Sequence, residues 1–225
     1  MLKNLTITEI QRSAARALEA LPTFNKAALS SLINRKGAAL DYWTRRLVKT
    51  GEIISIKRDL FVGRLFVVKI KGRPESTGSY LEYLAGVIRQ PSYLSTEYAL
   101  AKCGALTDVP FAFTSLTVKS SRTFTNEFGS FIYQNIKAPL FCGYTEVFFG
   151  DKRYFMATRA KALFDFIYLK TFKRGSLEGE LEEGLRINWD AFEKADLAEL
   201  QDYAVKSKKK KMAAFVNIIV RKGLL

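Results

Sequence analysis

The stretch Leu40–Gly63, LDYWTRRLVKTGEIISIKRDLFVG, changes its hydrophobic period halfway. From Ala38 to Thr50 the spacing is helical: Leu40, Trp43 and Leu47 fall on one face at i, i+3 and i+7. Tyr42, Arg45, Arg46 and Lys49 share a second, basic face with the same spacing. Gly51 stands where a helix ends on a left-handed residue. Beyond it, Ile53-Ile54-Ser55-Ile56 and Leu60-Phe61-Val62 are short runs of β-branched and aromatic residues. Lys57-Arg58-Asp59 separates them, which is a hairpin signal with a basic tip.

Working outward, Thr8 is placed to cap a helix reaching about Leu21, with Ile10, Ala14, Ala17, Leu18 and Leu21 on one face. Pro22 stops it. A second short helix is expected from about Phe24 to Ile33, then a charged turn, Asn34-Arg35-Lys36-Gly37. Three helices followed by a basic hairpin is the pattern of a winged helix-turn-helix. A major groove about 12 Å wide admits one α-helix. The expected contacts to double-stranded DNA are therefore Arg35, Lys36, Tyr42, Arg45, Arg46 and Lys49, with Lys57 and Arg58 at the wing tip on phosphate or minor groove. One basic helix face alone is equally well a solvated face; the order of helices, glycine stop and basic hairpin together carry the reading.

The charge is distributed unevenly. The 225 residues carry a net +14, which favours a polyanionic partner. Residues 1–74 hold 15 Lys and Arg against 5 Asp and Glu, a net +10; residues 75–225 hold 21 against 17, a net +4. The change falls near KGRPESTGS, Lys71–Ser79, where Pro, Gly, Ser and Thr cluster as in a linker. Two domains are expected, 1–74 and 75–225.

In the second domain, Ser79–Arg89 has helical spacing, and a capped helix is expected from Ser95. FTSLTVKSSRTFTN, GSFIYQNI, FCGYTEVFFG and RYFMAT alternate and are broken by turn residues, predicting a small antiparallel sheet. ATRAKALFDFIYLKTF, NWDAFEKADLAELQDYAV and KMAAFVNIIVRKGLL return to helical spacing; an acidic section, Leu177–Gly184, precedes the last two. The fold class is α+β: a winged helix-turn-helix followed by a mixed α/β domain. The lysine run Lys208–Lys211 fits an acidic surface or phosphate, or simple solvation.

Catalytic chemistry finds little support. There is no histidine, which removes Ser/His/Asp and Cys/His nucleophile arrangements. Neither glycine-rich phosphate motif is present. Glu146, Asp151, Lys161 and Asp165 would suit metal-dependent nuclease chemistry if they converged, but no spacing demands it. Cys103 and Cys142 lie in no C-x-x-C pair and are expected as small buried hydrophobes in a reducing compartment. No apolar run reaches the roughly 18 residues of a membrane span, and the N-terminus lacks a cleavable signal. The expectation is a cytoplasmic, non-enzymatic protein with no metal, no cofactor and no membrane partner.

The order of PSYLSTEYALAKCGAL, FTSLTVKSSRTF, GSFIYQNI and AKALFDFIYL, together with RRLVKTGEIISIKRDLFV, resembles the AbiEi-type antitoxin and transcriptional regulator family over nearly the whole chain. Asp59 and Phe61 stand where that family usually has a wing-tip glycine and tyrosine, and Ala160 where it often has glutamate. The resemblance implies the antitoxin of a type IV toxin–antitoxin system. Such a protein represses its own promoter through inverted repeats and counters a nucleotidyltransferase-like toxin. It also implies that Lys161 and Asp165 are the motif positions of the antitoxin domain, although a simple i,i+4 ion pair between them explains both residues as well. The alternative is a winged-helix regulator whose second domain senses a ligand or mediates dimerisation.

Overall fold

The computed structural model describes residues 16, 18–108, 110–172 and 177–224. The chain divides into two compact units, Met1–Leu84 with Thr125–Phe128, and Ala85–Phe124 with Gly129–Leu225. Of the helix expected from Thr8 to about Leu21, residues 8–15 and 17 lie outside the described residues. Leu18, which is described, is helical and fully buried.

In the first unit, strand β1 (Phe24–Asn25) leads into helix α1 (Lys26–Ile33), then α2 (Gly37–Thr50), β2 (Ile53–Lys57), β3 (Leu60–Gly63), α3 (Arg64–Lys71) and α4 (Pro74–Ile88). The sequence placed the start of α1 at Phe24; it starts two residues later. The Asn25 side chain accepts the Ala28 N–H at 2.8 Å, which requires extended backbone at the cap. Phe24 is therefore free to pair with Phe61 and stack on it, ring centroids 5.9 Å apart. The result is a three-stranded antiparallel sheet in the order β1-β3-β2. Leu29, Ile33, Leu40, Trp43, Leu47, Ile53 and Phe61 close the core beneath it.

The region after the hairpin holds an element to which the sequence reading assigned nothing: Arg64–Lys71 is a helix. The expected linker at 71–79 is largely helix too, because Pro74 takes the first position of α4, where its missing N–H costs nothing. The division between units falls within α4, between Leu84 and Ala85.

The second unit contains strand β4 (Tyr93–Leu94), helix α5 (Thr96–Lys102), strands β5 (Ala112–Thr117), β6 (Arg122–Asn126, whose last two residues are assigned to the first unit), β7 (Gly129–Asn135), β8 (Tyr144–Phe149) and β9 (Lys152–Ala157), and helices α6 (Arg159–Leu169), α7 (Lys194–Ser207) and α8 (Lys210–Lys222). Its sheet is larger than expected and mixed: six strands in the order β6-β7-β5-β4-β9-β8. β4 runs antiparallel to β5 and parallel to β9, while β5 and β7 are parallel. Alternating residues disclose that a segment is a strand but not its neighbour. β7, the second arm of its hairpin, lies against β5, and that placement makes the pair parallel. β4, only two residues long, shows no period at all, yet it joins the two halves of the sheet.

Helix α6 is the centre of this unit. Every residue from Ala160 to Tyr168 is buried. It packs against α5, α7, α8 and β9. Leu163, Phe164 and Ile167 are fully enclosed, each contributing about 1.5–3 kcal/mol of burial. The acidic section forms a helical turn, Leu177–Gly179, continued by a wider π turn to Gly184.

Candidate functional site

The basic residues of the first unit are displayed on α2 and on the β2–β3 turn. Leu40, Trp43 and Leu47 bury the opposite face of α2, which leaves Tyr42, Arg45, Arg46 and Lys49 outward. Tyr42 is 51% exposed, and Arg45 and Lys49 are exposed. Arg46 differs from them. It is half-buried, donates to the Tyr42 hydroxyl at 3.1 Å and lies over the Trp43 ring at 5.9 Å. Arg45 and Lys49 thus present their charges to solvent, while the Arg46 guanidinium is anchored on Tyr42 and Trp43.

The C-terminal end of α2 follows from local chemistry. Gly51 ends it with φ +80°, its N–H bonded to Val48 O. Arg64 Nε donates to Gly51 O at 3.1 Å, setting a cation at the helix C-terminus. Upstream, Asn34 closes α1 in the left-handed region. Arg35, half-buried, donates to Asn34 O at 3.0 Å, whereas Lys36 is exposed at the N-cap of α2. Lys57 is half-buried at the end of β2. The Arg58 side chain is 97% exposed at the turn, 4.0 Å from the Asp59 carboxylate. Asp59 has φ +59°, the conformation that glycine adopts without strain.

Lys161 and Asp165 lie elsewhere, in the core of the second unit. They form the expected i,i+4 ion pair, and both side chains are completely buried. Two hydroxyls complete the carboxylate: Tyr93 Oη donates to Asp165 Oδ2 at 3.0 Å and Ser95 Oγ donates to the same oxygen at 2.8 Å. The Lys161 ammonium sits among the rings of Phe164, Tyr203 and Tyr93, at 4.9, 5.4 and 5.5 Å. Burial pushes the Asp165 carboxyl up from its ordinary range, and Lys161 opposes that shift. Burial also pushes the Tyr93 hydroxyl up, helped by the Asp165 charge, so it remains a proton donor.

The surroundings of this pair are equally specific. Tyr203 Oη donates to the Glu199 carboxylate, which also accepts from Thr158 Oγ1 at 2.8 Å. Gly143, at φ +73°, lies so close that a Cβ would overlap the Tyr203 hydroxyl and crowd the Lys161 side chain. Ala160, beside Lys161, is buried. The cluster joins β4, α6 and α7, and neither charged atom reaches solvent. Tyr93, Ser95 and Tyr203 were invisible as partners in the sequence because they lie 72 and 70 residues before Asp165 and 42 after Lys161. Ser95 was expected to cap α5; its hydroxyl instead serves Asp165, and Thr114 Oγ1 accepts the Tyr98 N–H in its place at 3.1 Å.

The other candidates are occupied separately. Glu146 pairs with Arg153 at 2.9 Å and Asp151 with Lys152 at 2.8 Å, both on the β8–β9 hairpin, while Asp165 is enclosed with Lys161. In the lysine run, Lys211 Nζ donates to Ile167 O, Tyr168 O and Lys170 O at 2.6, 3.1 and 2.8 Å, capping the C-terminus of α6. Lys209 lies 3.8 Å over the Tyr168 ring. Lys208 ends α7 in the left-handed region, and Lys210 is exposed. Half of the run is therefore structural. Cys103 and Cys142 are half-buried rather than buried, and burial raises the Cys103 thiol. Among the described residues no group of three potential metal ligands converges, and no helix is long and apolar enough to cross a membrane. No protein-family model matches the chain, and a comparison with curated proteins finds no match.

Proposed function

We propose that this protein is a DNA-binding transcriptional regulator that represses its own promoter and acts as the antitoxin of a type IV toxin–antitoxin system. The order α1, α2, β2, β3 is that of a winged helix-turn-helix, with α2 as the recognition helix and the Arg58 turn as the wing. The observation that carries the reading is the outward face of α2, where Tyr42, Arg45, Arg46 and Lys49 stand together above a buried Leu40-Trp43-Leu47 stripe. On this reading exposed Arg45, Lys49, Lys36 and Arg58 neutralise phosphates, and anchored Arg46 is the residue best prepared for bidentate contact with guanine.

The antitoxin half rests on the sequence resemblance. In that role Lys161 and Asp165 act indirectly: enclosed as they are, they position α6 against β4 rather than touch a toxin. A nucleotidyltransferase-like protein encoded beside this chain is the expected functional partner.

The test has two arms. Fluorescence anisotropy with a duplex carrying the upstream inverted repeats, against a scrambled duplex, should show sequence preference in the full chain. Arg45→Ala with Lys49→Ala should abolish binding to both duplexes alike while leaving the melting curve unchanged. Binding that survives this double substitution overturns the DNA assignment. In the second arm, the product of the adjacent reading frame is expressed with and without the full chain. Growth restored only with the chain supports the antitoxin role, and continued growth arrest removes it.

A further inference from the structure

In the second unit, a cleft of about 270 Å³ opens between the last turn of α4 and the β8–β9 hairpin. Its walls include Gly86, Ser92, Phe141, Tyr144, Arg153 and Phe155. We infer that it binds a small molecule with a planar aromatic ring and one anionic group. Three features of the lining converge on that chemistry, and none depends on the DNA-binding reading.

First, Ser92 is 6% exposed, and its hydroxyl oxygen is closed to solvent without a hydrogen-bond partner among the described residues. Buried hydroxyls are normally paired, and Ser92 lines the cleft, so a polar ligand atom reaching it would supply the missing partner. Second, the wall is aromatic. Phe141 and Tyr144 lie 5.3 Å apart, as do Tyr144 and Phe155, and all three remain half-buried. Such rings offer faces and edges to another planar ring. Third, Arg153 is the sole charged residue of the lining, 5.9 Å over the Phe155 ring. Its partner, Glu146, is outside the cleft, and the Arg153 and Glu146 side chains are 65% and 46% exposed. An exposed pair of this kind is weak, so the guanidinium can turn to a ligand carboxylate or phosphate.

Size sets the rest. The volume suits a molecule of one or two fused rings and is too small for a peptide. The site also adjoins the buried cluster: Tyr144 stacks on Tyr93 at 4.8 Å, and Tyr93 holds Asp165. Occupation of the cleft therefore bears on a ring one contact away from the Lys161–Asp165 pair.

The full chain should be titrated with indole-3-acetate, adenosine monophosphate and uncharged indole, followed by amide chemical shifts and calorimetry. At least one of the two anions is expected to bind with Kd about 1 mM or tighter, shifting amides within 86–92 and 141–155, and indole several-fold more weakly. Binding of the first alone identifies an aromatic acid, of the second alone a mononucleotide, and of both a site selective only for ring and charge. Ser92→Ala should weaken binding roughly five- to tenfold yet leave Tm unchanged or raised, because the hydroxyl loses no protein partner. Arg153→Gln should erase the preference for anion over indole. The inference is overturned if neither anion moves those amides at about 5 mM, or if binding is indifferent to both substitutions.

Discussion

Replacing Lys161 by methionine leaves a carboxylate in the core with two hydroxyl donors and no counter-charge. The expected loss of stability is about 3–5 kcal/mol in urea denaturation, whereas Lys161→Met combined with Asp165→Leu recovers part of it, since the Tyr93 and Ser95 hydroxyls then lose their acceptor. A double variant no more stable than the single one would contradict this account of the pair. Asp59 offers a second test at the same scale. Its backbone lies at φ +59°, so Asp59→Ala should be about 1 kcal/mol less stable than Asp59→Gly, read from paired thermal melts. Equal stabilities would mean that the turn relaxes out of the left-handed region.

Among the elements, α2 and α6 show opposite uses of a helix. α2 buries one stripe and presents the other to solvent, as its two spacings in the sequence predict. α6 is enclosed all round, and its polar residues are matched inside the protein. The C-terminus of α8 is tied to the Leu177–Gly179 turn through Glu178, which Arg221 contacts at 2.6 Å and Lys222 at 3.1 Å. These cations hold the Glu178 carboxyl below its usual 4.5. A depressed folded-state pKa means stabilisation that is complete above the unfolded value and is lost as pH falls through the folded one. Amide exchange over Lys210–Lys222 should therefore quicken as pH falls below the usual carboxylate value of 4.5, after correction for intrinsic rates, and Glu178→Gln should remove that pH dependence. An unchanged pH profile in the variant would show that another group governs the end of α8.

For the whole molecule, the concentration of charge in the first third has a measurable consequence. Of a net +14, residues 1–74 carry +10. Affinity for any duplex should fall linearly with salt on logarithmic axes, with a slope of about −0.9 for each phosphate contacted. Arg58→Ala should reduce that slope by about one and weaken specific and scrambled duplexes alike. Arg46→Lys should leave the slope nearly intact and weaken the specific duplex more, since lysine keeps the charge but not the planar fork. A slope near zero in the unaltered chain would exclude phosphate binding by this surface.

Much of the fold was legible from local pattern. Periodicity placed α2, the β2–β3 hairpin and the terminal helices, because amphipathic spacing and a stop such as Gly51 are properties of neighbouring residues. The i,i+4 pairing of Lys161 with Asp165 was legible for the same reason. What needed the tertiary structure was everything set by residues distant in the chain. The helical state of Arg64–Lys71 was not read from its sequence, and the parallel pairing of β5 with β7 depends on which arm of the β6–β7 hairpin meets β5. Whether the Lys161–Asp165 pair was a solvated decoration or a core element depended on Tyr93, Ser95 and Tyr203 arriving from other segments. Burial is decided by what packs over a residue, and that partner is not written in the residue's own neighbourhood.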